Sequence, residues 1–151
     1  MSRSKKNRFE GGFFAVPKMI LSSNAYLKLR APEVKLLLDI GEQYTGHNNG
    51  HLTACHTLLK KRGWSKSSLH RALNNLIHAG FLVVTRQGRK VRGYATLLAI
   101  TWLSIDEPKP GKPYDEGIEP SNKSLGYWCK IKSSWEHQPG RKDYNESISP
   151  D

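Results

Sequence analysis

The sequence predicts an α+β fold, mainly α, in which a three-helix core carries a β-hairpin and irregular tails run off both ends. Three observations carry that expectation. Two short helices with marked ends follow each other between residues 53 and 80, a hairpin pattern follows at 81–102, and prolines and glycines break the chain from residue 106 onward. At 151 residues and 17.1 kDa the chain is long enough for one domain with its own core and too short for two of ordinary size. It is therefore read as a basic disordered arm over 1–10, one domain over 11–105, and a Pro/Gly-rich linker with an aromatic-containing tail over 106–151.

The arm is basic and Ser-rich, and no apolar stretch of signal-peptide type follows it. It is either an extra phosphate contact or a solvated terminus. Phe13, Phe14, Val16, Met19, Ile20 and Leu21 form an apolar patch with Pro17 inside it, which suits an extended packed segment better than a helix. Ser22 or Ser23 caps a short helical turn through Tyr26 and Leu29. Ala31 and Pro32 open the first long helix: Pro fits the first turn, Glu33 favours its positive end, and Val34, Leu37, Leu38, Gly41 and Tyr44 recur at i, i+3, i+4 spacing. Gly41 costs that helix about 1 kcal/mol relative to Ala, which fits a close-packing position better than a hinge. Residues 46–50, with Asn48 and Asn49 between glycines, are turn material, and 51–53 leave room for only a short strand.

Thr53 is placed to cap a helix that reaches Arg62 and buries Leu58 and Leu59, and Gly63 ends it where a left-handed residue is needed. Ser65 caps the next helix, Trp64 before it packs on Leu69 as a hydrophobic staple, and Gly80 ends it after His78 and Ala79. At about 100° per residue, Leu69, Ala72, Leu73, Leu76 and Ile77 fall on one side. Ser67, Arg71, Asn74 and His78 gather opposite, flanked by Ser68, His70 and Asn75. Full burial of a large apolar side chain gains about 1.5–3 kcal/mol, so the stripe fixes the helix's rotation and holds its polar face outward. Residues 81–85 read as a strand, 87–93 as a turn with cations between glycines, and 94–102 as the returning strand. Trp64, Phe81 and Trp102 are expected in the core. Leu125, Tyr127, Trp128, Ile131 and Trp135 form an aromatic cluster too short to fold alone, which packs back or docks on a partner.

Charge then points to a partner. The formal net charge is +11 and the sequence pI near 9.8. Between Gln43 and Ile105 there is no Asp or Glu, whereas Lys60, Lys61, Arg62, Lys66, Arg71, Arg86, Arg89, Lys90 and Arg92 all fall there. So one-sided a stretch repels itself unless a polyanion is its partner.

Helix, short strand, helix, tight turn, helix and hairpin is the element order of a winged helix-turn-helix domain. In that architecture the second helix of the motif enters the major groove of double-stranded DNA, and the hairpin lies on backbone or minor groove. Arg71 is long enough for a bidentate contact to guanine, Asn74 has the amide geometry for adenine, and Ser67 and His70 lie near the helix start where base edges are nearest. Lys60, Lys61, Arg62 and Lys66, with Arg86, Arg89, Lys90 and Arg92 of the hairpin, are the expected phosphate contacts.

The order also resembles a family of small winged-helix proteins of bacteria, phages and mobile elements, some akin to the DNA-binding domains of replication initiators. The residues that carry the resemblance are Gly12-Phe13-Phe14-Ala15-Val16-Pro17, Gly46-His47-Asn48-Asn49-Gly50, Arg62-Gly63-Trp64-Ser65, Ala79-Gly80-Phe81 and Thr101-Trp102, spread over residues 11–106. It implies the fold and a DNA-binding role and names no operator or pathway.

Other chemistries find little footing. His47, His51, Cys55 and His56 are close in sequence, but the segment crosses loop, strand and helix start, with neither a paired CxxC nor a second ligand cluster, so no metal is expected. No acid in the central stretch can orient a His and no Gly-rich phosphate loop is present, so neither catalysis nor a cofactor is expected. Cys55 and Cys129 lie far apart in unlike surroundings, and no apolar run approaches a membrane span, which together point to the cytoplasm. The expectation is a non-enzymatic, sequence-selective binder of double-stranded DNA, a transcriptional regulator or replication-associated factor of a bacterium or mobile element. One small domain favours a homodimer on a repeated site. The alternatives are a winged-helix scaffold that takes a protein partner through its C-terminal tail, and a binder of single strands or RNA.

Overall fold

The computed structural model describes residues 11–130. Their elements are α1 (Lys18–Leu21), α2 (Asn24–Leu27), α3 (Ala31–Gly41), α4 (His56–Leu59), a 3₁₀ turn (Lys60–Arg62), α5 (Lys66–His78), β1 (Leu82–Arg86), β2 (Leu97–Ile100) and α6 (Tyr127–Lys130). The chain is thus α+β, with short helices around one antiparallel hairpin. The expected arm over 1–10, and Ile131 and Trp135 of the tail, lie outside the described residues.

The N-terminal patch is extended only to residue 17. Pro17 is the N-cap of α1, where its missing N–H leaves no helical bond unmade, so a single turn forms and turns Ile20 fully inward. Ser23 caps α2 as expected, its hydroxyl accepting the Tyr26 N–H at 3.2 Å.

In α3 the inward face differs from the expected stripe. Leu36, Leu37, Ile40 and Gly41 are buried, but so are Glu33 and Asp39, whereas Leu38 is 49 % exposed. The two acids turn inward because partners wait there. Glu33 accepts the Arg30 backbone N–H at 3.0 Å and the Asn75 amide of α5 at 2.6 Å, and Asp39 is held by three donors described below. Gly41 is a close-packing position: a Cβ there would stand 2.6 Å from Cδ1 of Phe14, whose ring also lies against Tyr44 and Trp102.

The hairpin pairs Leu82 with Ile100, Val83 with Ala99 and Val84 with Leu98, then slips at a bulge so that Arg86 faces Leu97. Beyond β2, Leu52 forms an isolated antiparallel bridge to Leu98, the short strand expected after the turn. Leu52, Leu98, Phe81, Leu82 and Ile100 close over α3 and α5 in one core. Asn49 fastens this junction, fully buried: its amide donates to the carbonyls of Ile100 (3.0 Å) and Ser104 (2.8 Å), and its Oδ1 accepts the Ile100 N–H at 2.7 Å.

Residues 106–128, read in sequence as linker and tail, run across the domain. Ile105 bridges Ser121, the Asp115 N–H donates to the Thr85 carbonyl at 2.8 Å, and the Gln87 N–H donates to the Asp115 carboxylate at 2.6 Å. Glycines admit this stretch. At Gly50 (φ 118°) a Cβ would stand 2.7 Å from Cζ of Tyr114, and at Gly80 (φ 83°) 2.7 Å from the Tyr127 backbone.

Candidate nucleic-acid interface

Helix α5 forms as its residues dictate. Ser65 caps it, accepting the Ser68 N–H at 3.3 Å, and Gly80, at φ 83°, ends it. Leu69, Ala72 and Leu76 are buried and Leu73 and Ile77 pack partly against the same core, as the stripe requires. Trp64 is buried in that core with Leu69. The opposite side therefore faces out, with Lys66, Ser67 and His70 exposed and Arg71 and Asn74 half-buried. Asn74 Nδ2 lies 3.1 Å from His70 Nε2, so the two side chains stand as one pair along the face. Asn75 belongs elsewhere, turned to Glu33 of α3.

The preceding helix is shorter than expected. Its cap is Cys55, not Thr53, because the Gln43 side chain takes both backbone groups of Thr53 (2.8 and 3.0 Å) and holds it short of the helix. It then tightens into the 3₁₀ turn of Lys60–Arg62, ended by Gly63 at φ 93°. Leu59 is buried, but Leu58 is 48 % exposed, against expectation, because the tightened turn brings only one of the two leucines to the core.

Asp39 of α3 ties this turn in place. Its carboxylate accepts from Lys35 Nζ at 2.7 Å, Trp64 Nε1 at 2.7 Å and Arg62 Nη1 at 3.1 Å. Burial alone would raise its pKa, but these donors outweigh it and hold the carboxyl below its ordinary 3.8. Arg62 also pairs with Glu42 at 3.2 Å, and its carbonyl accepts from Lys35 Nζ at 2.9 Å. Arg62, expected on phosphate, is thus held by two acids. Lys35 and Asp39, which set the angle of the turn, were invisible in sequence because their partners lie 23 to 27 residues away in the chain.

Lys60, Lys61 and Lys66 are exposed around the turn, and none has an ion-pair partner among the described residues. Half-buried Arg71, and the exposed Arg89, Lys90 and Arg92 of the hairpin loop, likewise have no ion-pair partner among the described residues. That loop is internally bonded: Arg89 N–H donates to the Tyr94 carbonyl (2.9 Å), Tyr94 N–H to the Val91 carbonyl (3.1 Å), and Gly88 N–H to the Thr96 hydroxyl (3.0 Å). The returning strand consequently starts at Leu97 rather than 94. Arg89 sits over the Tyr94 ring at 5.1 Å. Arg86, also expected on phosphate, is only 2 % exposed, lying on the Tyr94 ring at 4.1 Å with Nη2 donating to the Ala95 carbonyl at 3.1 Å. The bulge after Val84 sets it opposite Leu97.

The His and Cys residues weighed as metal ligands go separate ways. His51 Nε2 accepts the Lys109 N–H at 3.0 Å beneath Tyr114, and His56 Nε2 donates to the Trp64 carbonyl at 3.0 Å. Among the described residues no group of three or more His, Cys, Asp or Glu converges as a metal site, and no helix is long and apolar enough to cross a membrane. Compared with protein-family models, with curated proteins and with solved structures, the chain matches none.

Proposed function

We propose that this chain is a non-enzymatic, sequence-selective binder of double-stranded DNA built as a winged helix-turn-helix domain. Helix α5 lies in the major groove, the loop between β1 and β2 is the wing, and Lys60, Lys61, Lys66, Arg89, Lys90 and Arg92 hold phosphates. One observation carries the reading: the outward side of α5 presents Ser67, His70, Arg71 and Asn74, between two groups of exposed cations that no acid among the described residues neutralises. Base-edge chemistry in the middle and point charges at the flanks is what direct readout of a duplex requires. A role in transcription or replication of a bacterium or mobile element, in the cytoplasm and as a homodimer on a repeated site, is part of the same proposal.

Selection of bound sequences from a random duplex pool tests it. A recurring motif of a few base pairs is expected; recovery of an unenriched pool, or equal capture of single strands, contradicts it. A protein-docking role is the second reading, favoured by Phe13, which is 93 % exposed, with Met19 and Leu27 also exposed. Under that reading Arg71→Ala is silent in every duplex assay.

A further inference from the structure

Arg86 is the only buried cation among the described residues, and no carboxylate there lies within ion-pairing distance of it. Beyond the Ala95 carbonyl and the Tyr94 ring it has no partner, and its Nε is buried without a hydrogen bond. Taking a guanidinium out of water costs far more than one neutral hydrogen bond and a ring contact return.

A second unmet donor lies on the same face of the sheet. Leu52, Leu98 and Val84 face the core. Alternation puts His51 and Leu97 on the opposite face, and Arg86 pairs with Leu97. His51 Nε2 accepts the Lys109 N–H, so a neutral ring carries its proton on Nδ1, and Nδ1 is buried without a partner. Burial first, then the charges of Lys109, Lys112 and Arg86, push the His51 pKa down against a smaller opposing pull from a hydrogen bond with the Glu107 backbone. Lys109 and Lys112 are exposed, their turn closed by the Lys112 N–H on the Lys109 carbonyl at 3.0 Å. Of the nearby acids, Asp106 accepts the Asn49 N–H at 2.8 Å and Asp115 that of Gln87, while Glu107 is exposed beside Lys109 in sequence.

We propose that this face binds a phosphate group, with Arg86 as its buried anchor and Arg89, Lys109 and Lys112 as its outer contacts. A phosphate offers several acceptor oxygens and full charge, so it can meet the Arg86 Nε–H and the outer ammonium and guanidinium groups together. The group is either free inorganic phosphate or a backbone phosphate of bound DNA. The second source rests on the duplex reading above; the first does not.

Two measurements on the full chain decide it, each on wild type, Lys109→Gln/Lys112→Gln and Arg86→Met. The first is thermal unfolding with inorganic phosphate exchanged for chloride at constant ionic strength. The second is duplex affinity against salt. For free phosphate, the melting temperature rises saturably in wild type and the rise is lost in both variants. For a backbone phosphate, the Lys109→Gln/Lys112→Gln slope of log affinity against log salt falls by about 1.8, from about 0.9 per phosphate contact. If Arg86→Met does not fold, the exposed lysine pair decides alone. Phosphate acting no better than chloride, together with an unchanged salt slope in the lysine variant, overturns the site. Arg71→Ala separates the two proposals: if it weakens duplex binding while the lysine variant is silent in both measurements, the duplex reading stands and this site falls. Stabilisation by phosphate without duplex binding gives the reverse.

Discussion

Asp39 joins three parts of the chain through one carboxylate, reaching Lys35 one turn back and Arg62 and Trp64 across the turn. Removing it in Asp39→Ala leaves the Trp64 indole N–H buried without an acceptor, an expected loss of about 1–3 kcal/mol in urea unfolding. Its pH sign follows from a folded-state pKa held below the ordinary 3.8. The stabilisation is fully present above the unfolded carboxyl's value and is lost as pH falls through the folded one, so the acid limb of the stability profile should flatten in Asp39→Asn. Gly41 gives a test with a change of sign. Gly41→Ala should destabilise wild type by about 1–2 kcal/mol net, because overpacking against Phe14 outweighs the gain in helix propensity. In a Phe14→Ala background the same change should stabilise by up to about 1 kcal/mol, a reversal read in a double-mutant cycle. Gly41 could be read as a packing position from its place in an apolar pattern. The inward turn of Glu33 and Asp39 could not, because an acid in a helix reads as solvent-facing until its distant partners are known.

Among the elements, α5 was legible because local signals agree: a Ser cap, a Trp before it, an apolar stripe and a terminal Gly. The helix before it was not, since Thr53 is claimed by Gln43 from ten residues away, a contact no local pattern records. The hairpin was legible as a hairpin, but the bulge before Arg86 was not, because nothing in a run of cations marks which of them is buried. Residues 106–128 carry no periodicity and hold to the domain by backbone hydrogen bonds and close passage over glycines, which leave little trace in composition. Asn49 is the polar counterpart of that junction. Asn49→Ala strands the Ile100 N–H and the Ser104 carbonyl, while the Ile100 carbonyl keeps the Leu103 N–H, so it should cost about 2 kcal/mol or more, and hydrogen exchange at Ile100 should speed accordingly.

For the whole molecule, the acid-free stretch resolves into cations with different duties. Arg62 is paired with two acids and Arg86 is buried, whereas Lys60, Lys61, Lys66, Arg89, Lys90 and Arg92 are exposed and without an ion-pair partner among the described residues. If about five phosphates are neutralised, affinity for any duplex should fall roughly 500-fold between about 50 and 200 mM salt. Under the proposed duplex reading, selectivity is a separate quantity and resides in the middle of α5. The most direct measurement of it compares Arg71→Ala with Arg89→Ala on a selected duplex and on a scrambled one. Arg71→Ala should cost about 1–3 kcal/mol on the selected sequence alone and relax preference at one base pair, while Arg89→Ala should weaken both duplexes alike. Equal losses on both duplexes for Arg71→Ala, or no loss at all, would contradict base readout by α5.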